Sequence, residues 1–172
     1  LEAPPGETTR PTSERARQAL FDMLSHGRFR GVLDGAEIAD LFAGTGALGL
    51  EALSRGARRA IFVETDRAAL ASLTRNIGKA HREADCEILA RSATDLPARK
   101  APVGIAFLDA PYAQGLTEQA LASATRRGWV GADTLVIAQI DPREEASWLE
   151  DGWAVEEDRK HGKARLLIVR RQ

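Results

Sequence analysis

Asp109-Ala110-Pro111-Tyr112 carries the clearest chemical signal in the chain. It closes the stretch 103–109 (VGIAFLD), nearly all apolar, as a buried parallel strand is. Ala110 precedes a proline and is pushed to an extended conformation, which fixes where its carbonyl points. Tyr112 adds a flat aromatic face suited to stacking on a nucleobase. A carboxylate, an oriented carbonyl and an aromatic plate suit a planar base with an exocyclic NH2. The two oxygens accept its N–H bonds and the ring clamps its face. The plainer alternative is a turn shaped by Asp109 and Pro111, with Tyr112 packed on the following helix.

A second stretch, Asp40-Leu41-Phe42-Ala43-Gly44-Thr45-Gly46-Ala47-Leu48-Gly49, has the form of a nucleotide-type binding turn. An apolar strand ends in an acid, turns on Gly44 and Gly46, and enters a helix over 47–55. The glycines let backbone and ligand approach closely, and the helix offers free N–H groups and its positive dipole end. Glu64 ends the next apolar strand 20 residues past Gly44, where a carboxylate can accept ribose hydroxyls. The run Gly44 to Gly49 also fits G-x-G-x-x-G, which alone would suggest a nicotinamide or flavin enzyme. Asp40, four residues before the first glycine, and the lack of a downstream pair suited to hydride transfer argue against that reading.

These residues need a scaffold that brings strand ends together, and the rest of the chain reads as one. Strands are expected at 38–42, 59–64, 86–91, 103–109 and 134–139. Helices are expected up to Ser25 and over 47–55, 66–80 and 117–127, with a short one at 142–149. Segments 153–158 and 165–170, split by Lys160-His161-Gly162-Lys163, read as a hairpin. Alternating strands and helices imply a parallel sheet covered on both faces, with ligands beyond the carboxyl ends of the strands. Residues 1–11 read as an extended arm, followed by Thr12 or Ser13 as a helix N-cap.

Composition narrows the class. With 172 residues the chain is expected to form one domain, an N-terminal arm and helix over 1–30 and a catalytic sheet over 36–172. Twenty-four basic and 25 acidic residues give a net charge of −1, unlike a strongly cationic nucleic-acid binder, though a local basic face is compatible with it. The lone Cys86 permits no internal disulfide, and its strand setting suggests an inert, buried thiol. His26, His81 and His161 lack metal-ligand spacing, so no metal is expected. No apolar run reaches membrane-spanning length. A cytoplasmic protein with no membrane partner is the expectation.

The sequence resembles the S-adenosylmethionine-dependent methyltransferases with a Rossmann-like, seven-stranded α/β sheet, and within them the RsmD family of bacterial 16S ribosomal RNA guanine-N2 methyltransferases. Arg10-Pro11-Thr12-Ser13-Glu14-Arg15, the run from Asp40 to Gly56, Glu64-Thr65-Asp66 and Asp109-Ala110-Pro111-Tyr112 carry the resemblance. It implies a class I fold, mostly parallel, closed by a C-terminal antiparallel hairpin. It further implies S-adenosyl-L-methionine as methyl donor, S-adenosyl-L-homocysteine as product, and 16S ribosomal RNA or the small ribosomal subunit as partner of a monomer. By position, Asp40, Phe42, Ala43, Gly44, Gly46 and Leu48 would hold the donor's methionine part. Glu64 would hold the ribose hydroxyls, with Thr65, Ser92 and Ala93 around the adenine. Thr12 and Arg15 would reach the donor's carboxylate. Asp109, Ala110, Pro111 and Tyr112 would be catalytic. The family usually has proline where this chain has Ala110, which keeps the carbonyl but loses rigidity worth about 0.4–1 kcal/mol. It also usually begins with a basic β-hairpin, expected here upstream of Leu1. Other readings are methylation of adenine N6 or a protein glutamine, a nicotinamide oxidoreductase, and a non-catalytic RNA-binding module.

Overall fold

A computed structural model describes residues 14–112, 115–150 and 152–172. Seven strands form one sheet: β1 (Glu37–Asp40), β2 (Arg59–Val63), β3 (Cys86–Leu89), β4 (Ile105–Leu108), β5 (Leu135–Ile140), β6 (Trp153–His161) and β7 (Ala164–Arg171). Their order is β3-β2-β1-β4-β5-β7-β6. The first five pair in parallel, and β7 lies antiparallel to both β5 and β6. The helices are α1 (Glu14–Ser25), α2 (Ala47–Ser54), α3 (Arg67–Lys79) and α4 (Leu116–Arg126).

Period-two alternation divides the apolar residues between two cores. Ile38, Phe62, Phe107, Ile137 and Ile168 point to one face, where they meet Leu20, Phe21 and Leu24 of α1 together with α2 and Leu73 of α3. Leu41, Val63, Leu108, Val136 and Val169 point to the other, under Ala120, Leu121 and Ala124 of α4 and the Trp148–Trp153 pair. β1 runs on to β2 at one side, while β4 lies at its other side, so the chain changes direction between β1 and β4. That is where an open α/β sheet leaves a crevice at its carboxyl edge.

Two expectations are corrected. The helix expected at 142–149 is absent: Asp141 accepts from the N–H groups of Arg143 and Glu144, making a turn, and only Ser147–Glu150 coils, as a 3-10 turn. An aspartate followed by proline satisfies local N–H groups with its own oxygens, and this competes with helix formation. The hairpin strands are also longer than expected, leaving Gly162 and Lys163 as the turn, with Gly162 at φ 61°. Outermost β6 carries a bulge between Val155 and Glu157.

Candidate active site

The glycine turn works through conformation and close contact. Gly44 (φ 56°) and Gly46 (φ 91°) are both left-handed, and Gly46 takes the N-cap place of α2 without a side chain. A Cβ on Gly46 would meet Leu73 Cδ1 at 2.5 Å, and one on Gly49 would run into the Phe62 ring. The loop is pinned from α3, where Asn76 Nδ2 donates to the Thr45 carbonyl at 2.9 Å. Thus α2 begins right at the end of β1, with its first turn open to Asp40 Oδ2, which accepts from Gly49 N at 3.2 Å.

Asp40 is fully buried, and its second oxygen, Oδ1, has no hydrogen-bond partner among the described residues. Its carboxyl is pushed up to about 7, chiefly by desolvation, against the Gly49 N–H, with Asp109 and Glu64 adding repulsion. β1 lies between β2 and β4, with Asp40 opposite Phe62 and Phe107, so the carboxylates that follow these three strands stand along one edge of the sheet. Glu64 Oε1 accepts from Gly44 N at 2.8 Å, and Oε2 from the N–H groups of Thr65 and Asp66, each at 2.8 Å. Three of a carboxylate's roughly four accepting positions are therefore taken. One remains for a ligand hydroxyl, and holding two would displace a backbone bond.

Phe42 and Gly44 are half-buried, while Ala43 and Leu48 are buried. Thr65 is exposed beside Glu64, and Asp66 caps α3 by accepting from Ala69 N at 2.8 Å. Past β3, Ser92 Oγ lies 2.6 Å from Thr94 Oγ1, and Ala93 is buried. Asp109 is half-buried, Ala110 buried and Pro111 exposed. Tyr112 Oη donates to the Lys163 carbonyl at 3.2 Å, so the corner is tied to the turn of the closing hairpin. Arg15 stands exposed on the first turn of α1, and Thr12 lies outside the described residues.

Three arginines of the hairpin are ion-paired within it. Arg159 pairs with Glu157 at 3.1 Å, Arg165 with Asp158 at 2.8 Å and Arg170 with Glu156 at 3.1 Å. Burial raises the Cys86 thiol to about 11, so it is a poor nucleophile near neutrality. Among the described residues no three His, Cys, Asp or Glu side chains converge as metal ligands do, and no helix is long and apolar enough to cross a membrane. Sequence reasoning missed Asn76 and Gln139. Asn76 was hidden in an amphipathic helix pattern, and Gln139 at the end of an apolar strand; only the fold gives either a neighbour.

A family model described as Conserved hypothetical protein 95 matches residues 1–170. Ribosomal RNA small subunit methyltransferase D of Escherichia coli is 30% identical over 173 residues, covering 100% of this chain and 84% of that protein. The chain belongs to the RsmD family of methyltransferases. The solved structure of the Escherichia coli protein yhhF is 29% identical, with a TM-score of 0.82, and covers 99% of the RsmD-family chain and 91% of its own. An RNA methyltransferase from Salinibacter ruber, solved in complex with S-adenosyl-L-homocysteine, is 13% identical with a TM-score of 0.70 over 92% of both chains. At that identity the likeness is one of fold. The seven-stranded sheet with its antiparallel closing hairpin is thus the RsmD-family architecture expected from the sequence.

Proposed function

We propose that the chain transfers a methyl group from S-adenosyl-L-methionine to the exocyclic N2 of a guanine in 16S ribosomal RNA, free or within the small subunit. The observation that carries this reading is the convergence of Asp40, Glu64 and Asp109 on one crevice, with Asp40 Oδ1 buried and unpartnered. An orphaned carboxylate oxygen with two further acids near it favours a ligand that brings positive charge and N–H donors. The amino group and sulfonium of S-adenosylmethionine meet that requirement, and the open position on Glu64 fits a ribose hydroxyl. When bound, the donor supplies an electrophilic methyl group. The small subunit RNA named in the Escherichia coli relative supports ribosomal RNA as the acceptor.

In this reading Asp40 and the turn from Phe42 to Gly46, with Leu48, hold the donor's amino-acid part. Glu64, Thr65, Ser92 and Ala93 surround its nucleoside, while Thr12 and Arg15 reach its carboxylate. The guanine amine is a poor nucleophile because its lone pair is delocalised into the ring. Asp109 and the Ala110 carbonyl accept its two N–H bonds and favour a pyramidal nitrogen whose lone pair faces the methyl. Pro111 keeps Ala110 extended, and Tyr112 stacks on the base after it leaves its own stack. Alignment of two reactants accounts for most of the rate, on the order of 7–11 kcal/mol at best. The departing proton goes to Asp109 or to water.

The test combines calorimetry with S-adenosylhomocysteine and methyl transfer to small subunits from a strain lacking the enzyme, read by mass mapping of the RNA. Asp109→Ala is expected to lower transfer at least about 100-fold with little change in product affinity, in line with loss of a positioning and proton-accepting group. Equal loss of both would make Asp109 a donor ligand instead. Methylation of adenine or of a protein glutamine in place of guanine would overturn the acceptor assignment.

A further inference from the structure

On the α1 face of the sheet, beyond the catalytic corner, lies a cavity of about 90 Å³. Ala16, Ala19 and Met23 of α1 form its apolar wall, with Gln139 of β5 and Arg159 and His161 of β6 opposite. At about 10–15 Å³ per water it holds roughly six to nine waters, enough to admit part of a planar base. Gln139 is only 5% exposed. Its amide makes no side-chain hydrogen bond among the described residues, and it lines this cavity. Its amide faces the cavity, where the hydrogen-bonding groups of a ligand can replace water.

The sheet register places this amide beside the reaction. β4 and β5 pair in parallel up to Leu108 opposite Ala138, and Asp109 and Gln139 are the residues that follow these two. Gln139 shares the face of Ile137 within β5, on the α1 side, where it lines the cavity, and Asp109 follows directly on the end of β4. Two neighbouring positions on adjacent strands are roughly 4.7–4.9 Å apart, about the width of a base's Watson–Crick edge. On that edge guanine presents its N2 amine, then N1–H, then the O6 acceptor. A base whose N2 lies at Asp109 therefore carries its O6 toward Gln139, whose amide offers one group that donates and one that accepts.

We infer that Gln139 is the residue that selects guanine, its amide N–H donating to O6 and its carbonyl accepting from N1–H, with the ring lodged in the cavity against α1. This deepens the proposed function and rests on it. Adenine reverses both groups, with an amine in place of O6 and an accepting N1, so it pairs only with the amide turned over, and it lacks the 2-amine that Asp109 holds. The assignment makes Gln139 a specificity residue that touches the base on the side away from the methyl.

The test uses small subunits reconstituted with the mapped target as guanine or as 2-aminopurine, which keeps the amine but lacks O6 and N1–H. The wild-type chain is expected to favour guanine by about tenfold or more, the discrimination a good paired contact gives. Gln139→Leu is expected to lower kcat/KM on guanine by about as much, to bring the two substrates within about threefold of each other, and to leave S-adenosylhomocysteine affinity within about twofold. If Gln139→Leu does not fold, Ala19→Phe, which fills the cavity from the helix side, must lower kcat/KM on guanine while sparing product affinity. A variant that loses equal activity on both substrates, or none, overturns the inference and leaves the proposed function standing. A wild-type chain that binds the product yet methylates no guanine overturns the proposed function, and the inference falls with it.

Discussion

Asp40→Asn is expected to stabilise the protein while weakening its hold on the methyl donor. Burial moves this carboxyl from its ordinary 3.8 to about 7. At about 1.4 kcal/mol per tenfold change in the proton equilibrium, the charged form costs the fold about 4 kcal/mol at pH 8 and about 2 kcal/mol at pH 5. Because the folded value lies above the unfolded one, the unfolded chain holds fewer protons between about pH 4 and 7. Stability from this group is therefore full below pH 4 and falls as pH rises through 7. Asparagine keeps an oxygen for Gly49 N–H and removes the charge, though its NH2 group then takes the place of the unpartnered Oδ1 and offsets part of the gain. Urea unfolding of wild type and variant at pH 5 and pH 8 measures the difference. The variant is expected to gain about 1–4 kcal/mol at pH 8, clearly less at pH 5, with an unchanged urea slope. Its affinity for S-adenosylhomocysteine is expected to drop about tenfold or more, in keeping with loss of a charged hydrogen bond. Equal stability at pH 8, or a gain larger at pH 5 than at pH 8, would refute the argument that burial of a charge governs this position.

Gly49→Ala is expected to cost about 1–3 kcal/mol in urea unfolding, since the added methyl is driven into the Phe62 ring within a filled core; an unaltered midpoint would mean the ring moves aside freely. Asn76→Ala removes the bond to the Thr45 carbonyl and is expected to cost about 1–3 kcal/mol, read by the same assay, with weaker product binding because the glycine turn loses its anchor. Tyr112→Phe keeps the ring and loses the bond to the Lys163 carbonyl. It is expected to raise KM for small subunits less than about tenfold, whereas Tyr112→Ala loses base stacking worth about 1–3 kcal/mol. Equal effects of the two variants would show that the hydroxyl, and not the ring, is what matters.

The fold was legible because its parallel core is written in short apolar runs separated by turn residues. Each of the strand segments around Ile38, Ile61, Ile105 and Ile137 has a counterpart in the sheet. The helix at 142–149 failed because a proline and two glutamates after Asp141 look helical by composition, while the aspartate's own oxygen captures the Arg143 N–H. The site was legible in part, since a carboxylate at a strand end and a glycine turn are local features. What the sequence could not carry was distance. The burial of Asp40 and the bond from Gly44 N–H to Glu64 depend on how the strands pair across the sheet. The hairpin arginines illustrate the same limit: as a string they read as either phosphate contacts or solvated charges, and the strand pairing gives Arg159, Arg165 and Arg170 a carboxylate each and sets Arg171 over the Trp153 ring.

The bulge in β6 bears on how the molecule meets copies of itself. β6 is an outermost strand, and an unpaired edge invites another chain to extend the sheet. Here the bulge twists the strand where Val155 is 46% exposed, and five consecutive charged residues follow, from Glu156 to Lys160. An incoming strand would have to match an irregular ladder and bring its own charges against that row. The flank beside the closing hairpin is thereby guarded against fibre-like annealing.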